Sequence, residues 1–375
     1  MKVVIAIDSL KGSLTSMDAG LAVKEGILAA VPDAEVIVRP LADGGEGTVD
    51  ALIEGYGAEK VCLSVTGPLA HPVSCYYGYL PHTGTAIIEM AAAAGITLIP
   101  SFAKDPLHAT TYGVGELILD ALSKGCRDFI IGVGGSATND GGLGMLKALG
   151  CTFHDIHGND VGEGGNALAK INSIDTSGMN PNLKHCRFQI ACDVSNPLCG
   201  KNGATYVYGP QKGADIHMIS KLDSAMAHFA QKTTQFLNTD YSQVPGAGAA
   251  GGLGYAFLSY LNAQLIPGTE LILNAIHLEA DLKDADIAVT GEGRLDSQTV
   301  MGKAPLGVAK LAKKHHAKVI AFAGTVADDA DACNQAGIDA FFPIIRDITT
   351  LEEAMKPDNA RANLRAAANQ VFRLL

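Results

Sequence analysis

The sequence predicts an α/β fold, a Rossmann-like parallel-sheet domain with a second α/β domain inserted. Three observations predict it. Short runs rich in Val, Ile and Phe recur along the chain, helical periodicity fills gaps between them, and acidic Gly-rich stretches follow several of the runs. Continuous apolar runs suit parallel strands buried on both faces, and strand–helix alternation is the pattern of a parallel sheet.

In chain order the expected strands of this kind are 3–7, 35–38, 129–133, 286–289, 318–322 and 340–344. After the first, Ala19, Ala22, Val23, Gly26, Ile27 and Ala30 follow helical spacing, and Thr15 with Asp18 fits a capping box. Lys60 to Ile88 reads as consecutive β segments broken by Gly67-Pro68, His71-Pro72 and Pro81. Val114, Leu117, Ile118, Ala121 and Leu122 repeat the helical pattern, and Gly125 is placed to stop it. From Cys151 to Asp284 the chain mixes an Asn/Gly-rich region, a strand at 188–192, an amphipathic helix through Ile219, Leu222, Met226 and Phe229, and the Gly run 246–254. Leu306, Ala309 and Leu311 mark a helix ending in Lys313, Lys314, His315 and His316, where cations suit the dipole. A final helix over 351–375 closes the first domain. The expected parallel-sheet domain is therefore 1–55, 105–150 and 285–375, and the second is 56–104 and 151–284, with the active site in the cleft between them.

Composition narrows the function. The 375 residues suit two domains at about 150 residues each. A net charge of −11 disfavours a duplex nucleic-acid binder, which needs a concentrated basic footprint. No apolar run is long enough to span a membrane, and 3–7 is too short for a signal peptide, so a cytoplasmic protein is expected. The 8 cysteines form no C-x-x-C pair and read as reduced thiols.

Carboxylates and glycines collect at the predicted strand ends. Asp8 leads into Ser9-Leu10-Lys11-Gly12-Ser13, and Asp43 lies in Asp43-Gly44-Gly45-Glu46-Gly47-Thr48. The third run enters Gly134-Gly135-Ser136-Ala137-Thr138-Asn139-Asp140-Gly141-Gly142. Asp193 follows the 188–192 strand, and 286–289 runs into Thr290-Gly291-Glu292-Gly293-Arg294-Leu295-Asp296. Ligands bind beyond the carboxyl ends of strands in open α/β sheets. Glycines let backbone N–H groups approach anions, but clustered carboxylates would repel a phosphate unless a hard cation such as Mg²⁺ is present. Lys11, Arg294 and Lys303 are the candidate partners for phosphoryl oxygens. Any single carboxylate at a strand end could equally be a helix cap or turn former.

Motif tests sharpen the choice. Gly302-Lys303 is followed by Ala304, so no Walker-type P-loop is present. Gly246 to Gly251 matches G-x-G-x-x-G but follows no strand. Gly132 to Ala137 does follow one, with Asp155 18 residues beyond Ala137, and this supports an NAD-dependent hydroxy-acid oxidoreductase as the alternative. Against it, Asn139 to Gly144 interrupts the helix that such a site needs. A non-catalytic sugar-acid-binding protein is the other rival. G-x-S-x-G is absent, which removes the nucleophilic-serine reading.

These same loops, with Gly209-Pro210-Gln211-Lys212-Gly213-Ala214 and Pro245 to Gly254, resemble those of the type-1 glycerate kinases, in family order from residue 1 to about residue 345. The resemblance implies ATP- and Mg²⁺-dependent phosphorylation of D-glycerate, mostly at the 2-hydroxyl to give 2-phosphoglycerate, with 3-phosphoglycerate as the other regiochemistry. One departure is visible: Ile7 and Leu10 stand where the family usually has Pro and Phe. From position we assign Asp193 as the base and Lys11 and Arg294 as catalytic cations. Ser9, Gly134, Gly135, Ser136, Thr138, Asn139, Gly291 and Lys303 are assigned to substrate and phosphate, and Asp8, Asp43 and Glu292 to the metal. The expected partners are the small molecules D-glycerate and ATP, with neither nucleic acid nor membrane. A homodimer is compatible with the sequence.

Overall fold

A computed structural model describes residues 1–41 and 48–375. The strands are β1 (Lys2–Ile5), β2 (Glu35–Val38), β3 (Glu59–Thr66), β4 (Pro72–Leu80), β5 (Thr85–Glu89), β6 (Asp128–Gly132), β7 (Thr152–His154), β8 (Ser173–Asp175), β9 (Arg187–Ala191), β10 (Gln264–Ile266), β11 (Ile287–Leu295), β12 (Lys318–Val326) and β13 (Ala340–Pro343). The chain divides into two compact units. The first holds β1 and β2 with Asp50–Gly57 and Thr269–Leu375, and the second is built mainly from Ala58–Gly268.

The first unit carries a five-stranded, all-parallel sheet in the order β13-β12-β11-β1-β2. Val3, Ile5 and Ile7 share one buried cluster with Val289, Ile320 and Phe322 and with the helices Ser16–Ala30 and Pro357–Phe372. Val4, Ala288 and Val319 are buried as well, so the central strands are covered on both faces as their continuous apolar runs require. The Thr15 cap forms as expected, its Oγ1 accepting the Asp18 N–H at 3.1 Å. Gly26 has a packing reason to lack a side chain: a Cβ there would stand 2.3 Å from the Arg365 carbonyl oxygen of the facing helix. The expected final helix is two helices, Leu351–Met355 and Pro357–Phe372, separated at Lys356 because the residue before a proline avoids the helical conformation.

The second unit has a six-stranded mixed sheet, β10-β9-β6-β5-β4-β3, antiparallel through β3–β4–β5 and parallel beyond. A two-stranded ribbon pairs β7 with β8. Two placements correct the expected division. Residues 105–150 fall in the second unit, because β6 pairs with β5 and β9. Residues 269–284 fall in the first. A βα pattern shows that a strand is parallel and buried; which sheet it joins is decided by pairing with residues remote in sequence. Among the described residues no helix is long and apolar enough to cross a membrane.

Candidate active site

In the first unit the chain leaves β1 for β2 on one side, while β11, β12 and β13 extend the sheet on the other. The reversal between β1 and β11 is where open α/β sheets bind ligands. The two strand ends are tied there: the Asp8 N–H donates to the Gly291 carbonyl at 3.0 Å. Asp8 is buried, and its Oδ1 accepts the Ser9 N–H at 2.7 Å. The loop then closes on itself, with the Leu10 N–H on the Leu14 carbonyl at 3.0 Å and Gly12 at a φ of +77°. That left-handed turn is one a side-chain-bearing residue adopts only with strain.

β11 runs further than its apolar part predicts. Its pairing with β12 continues through Glu292↔Ala323 and Arg294↔Thr325. Glu292 and Arg294 therefore stand on the strand, on one face by the two-residue alternation, and not in a loop beyond it. Glu292 accepts from Thr299 Oγ1 at 2.7 Å and lies 3.2 Å from Lys303 Nζ. Arg294 is largely exposed, with Nε 3.6 Å from Asp296. Gly291 is buried within β11, where a Cβ would stand 2.0 Å from the Phe322 carbonyl oxygen; its assigned position is one of close backbone approach.

Asp8, Ser9, Lys11, Glu292, Arg294 and Lys303 line one cavity of about 480 Å³. It is the place where the sequence-assigned residues of this unit converge. The expected Mg²⁺ site can be tested on its donors. Among the described residues no three His, Cys, Asp or Glu side chains converge as a protein-only metal cage. Mg²⁺ with a nucleotide needs only one or two protein carboxylates, the rest of its shell being phosphate oxygens and water. Asp8 and Glu292 on the one cavity wall fit that mode. Asp43, the third assigned ligand, lies outside the described residues.

The second unit holds another group. After β6 the chain turns at Gly134 and Gly135, both exposed, and then buries Ser136, Thr138, Asn139 and Asp140. Asp140 braces this loop by accepting from the Thr111 N–H and Oγ1 and from the N–H groups of Gly142 and Gly144 at 2.8–3.2 Å. Burial raises its pKa against the opposing pull of these donors. The Gly run packs against the same loop: a Cβ on Gly251 would stand 2.1 Å from the Thr138 carbonyl oxygen, and the Gly141 N–H donates to the Gly251 carbonyl at 3.0 Å. The literal G-x-G-x-x-G is thus a packing surface.

Sequence reasoning missed Lys212. It is 2% exposed, and its Nζ donates to Ser136 Oγ at 2.8 Å and to the Thr138 carbonyl at 2.7 Å. Burial pushes its pKa down to about 7, partly opposed by Asp140. Its place between Gln211 and Gly213 in a quoted motif was the available signal, but lysines are almost never fully buried without a partner. Asn139 Nδ2 donates to Thr205 Oγ1 at 3.0 Å, whereas Asn139 Oδ1 and Thr138 Oγ1 are buried with no hydrogen-bond partner among the described residues.

Asp193 lies in the exposed segment after β9, where its Oδ1 accepts the Gly268 N–H at 2.8 Å. Gly268 opens the helix Gly268–Ala275, so the carboxylate also satisfies a helix N-terminus. Within the first unit the cavity lining supplies cations, a hydroxyl and carboxylates, and within the second the loop after β6 supplies buried hydroxyls and a buried lysine.

A model of the glycerate kinase family matches residues 3–375. The chain is 48% identical to the protein named glycerate 2-kinase in Escherichia coli (strain K12), over 95% of this chain and 93% of that one. It is 47% identical to the glycerate kinase of Bacillus subtilis (strain 168), with the same coverage of 95% and 93%. A crystal structure described as putative glycerate kinase 2 from Salmonella typhimurium LT2 superposes with a TM-score of 0.92 at 47% identity, covering 99% of this chain and 97% of that one.

Proposed function

This chain belongs to the glycerate kinase family and is a kinase, and from that premise we propose that it transfers the γ-phosphoryl group of ATP to the 2-hydroxyl of D-glycerate, giving 2-phosphoglycerate and ADP. The carrying observation is the convergence of Asp8, Ser9, Lys11, Glu292, Arg294 and Lys303 on one cavity at the sheet reversal. The C2 choice rests on the E. coli relative, whose name specifies a 2-kinase.

Phosphoryl transfer asks a protein mainly for positioning and charge neutralisation. Lys11, Arg294 and Lys303 hold the phosphate oxygens, and Ser9 donates to one of them. Mg²⁺ carried by the nucleotide would be held by Asp8 and Glu292, with Asp43 the further assigned ligand, and supplies charge neutralisation on the phosphate oxygens. The Gly134–Asn139 loop binds the glycerate carboxylate through backbone N–H groups and Ser136, with Lys212 fixing Ser136 and Thr138 in place. Asp193 accepts the proton of the attacking hydroxyl as its oxygen bonds to the γ-phosphorus and the bond to ADP breaks. Gly291 acts through the backbone that it brings close to β12.

The test is ADP release from ATP and Mg²⁺ that depends on D-glycerate. Turnover of NAD with hydroxy acids in place of it would restore the oxidoreductase reading.

A further inference from the structure

The first-unit cavity is lined by two chemically different sets of residues, Asp8, Ser9, Lys11, Glu292, Arg294 and Lys303 on the one hand and Ile344, Leu351, Ala354 and Met355 on the other. Glycerate bears an oxygen on every carbon and offers no apolar face, so an apolar wall contributes nothing to holding it. A nucleotide has phosphates at one end and a flat, weakly polar base at the other. We propose that the wall formed by Ile344, Leu351, Ala354 and Met355 is the base subsite of the nucleotide, held by apolar contact on the helix Leu351–Met355. The inference rests on the kinase reading above and extends it.

Three features of the wall support this occupant. The cavity is continuous, about 480 Å³ in volume, within the usual size of small-molecule sites, and a three-carbon acid fills only a fraction of it. The two sets are joined by packing: the terminal methyl of Met355 lies 2.9 Å from where a Cβ on Gly12 would stand, so the apolar wall rests on the same loop that carries Ser9 and Lys11. Leu351 lines the cavity yet is 72% exposed, an apolar side chain with surface still to bury. Ser13, also in the lining, has its Oγ buried without a hydrogen-bond partner among the described residues, as a donor reserved for an anion would be. The wall also carries one amide, Asn363, whose Oδ1 accepts from Arg346 Nε at 3.0 Å.

Calorimetric titration of the full-length protein with ADP, and separately with inorganic tripolyphosphate, tests this. Leu351→Ala and Met355→Ala are each expected to weaken ADP about tenfold, leave tripolyphosphate unchanged, and leave the KM for D-glycerate unchanged. Leu351→Met should restore ADP affinity. Because Leu351 is exposed, its substitution leaves the fold intact, which circular dichroism checks. Unchanged ADP binding in both variants overturns the subsite while the kinase reading stands. Equal weakening of ADP and tripolyphosphate also overturns it, since the loop and not the base contact would then have been disturbed. A wild-type protein that binds neither ligand would overturn the kinase reading and the subsite together.

Discussion

Lys303 Nζ stands 3.2 Å from Glu292 Oε2 and 3.8 Å from Asp296 Oδ1, so one lysine neutralises two carboxylates at the end of β11. The lysine is partly exposed to the cavity, which leaves its ammonium in reach of an arriving phosphate. We expect Lys303→Met to lower kcat/KM for ATP roughly a hundredfold, with the KM for glycerate unchanged. Steady-state kinetics checks it. A value within about threefold of wild type would limit Lys303 to holding the strand end.

Asp193→Asn keeps an oxygen to accept the Gly268 N–H and removes the proton acceptor. The expected outcome is loss of kcat by roughly 10²–10⁴-fold with an unchanged melting temperature. Near-wild-type turnover would sink the base assignment and leave Asp193 as a helix cap.

The buried Lys212 makes stability depend on pH. Its folded-state pKa of about 7 lies below the ordinary 10.5, so between those values the unfolded chain holds a proton that the folded chain does not. Unfolding then takes up a proton, and raising the pH favours the folded state. Urea unfolding of the wild type against Lys212→Met, from pH 7 to 9.5, should show a rising stability difference in the wild type's favour. A flat difference would place a charged lysine in the fold.

Gly291 has no room for a side chain, with the Phe322 carbonyl oxygen 2.0 Å from the position of a Cβ. Gly291→Ala should cost about 1–3 kcal/mol in denaturant unfolding and lower activity with it, because the Asp8 N–H bonds the same residue's carbonyl. A change below about 0.5 kcal/mol would show that β11 and β12 can part without strain.

β1 and β12 were legible in their apolar parts because burial on both faces writes a continuous apolar run, and β2, a partly buried edge strand, was legible to the residue from its Val-Ile-Val run. The second half of β11 was not: Gly-Glu-Gly-Arg carries no strand signal, and only pairing with Ala323 to Val326 makes it extended. The place of β6 was not legible either, since its partners β5 and β9 are far along the chain. At the site, Asp8, Ser9, Lys11, Glu292, Arg294 and Lys303 were visible as charged or hydroxyl residues in or beyond the stretches that follow apolar runs, and they line one cavity. Lys212 was hidden because its burial comes from tertiary packing, and Leu351 and Met355 because their spacing is that of any packed helix.

The central claim is phosphorylation of D-glycerate by ATP at the 2-hydroxyl. Purified protein incubated with ATP, Mg²⁺ and D-glycerate, followed by phosphorus and carbon NMR of the product, tests it most directly. The account predicts 2-phosphoglycerate. 3-Phosphoglycerate would contradict the regiochemistry, and no phosphorylated product from the folded protein would contradict glycerate as the substrate.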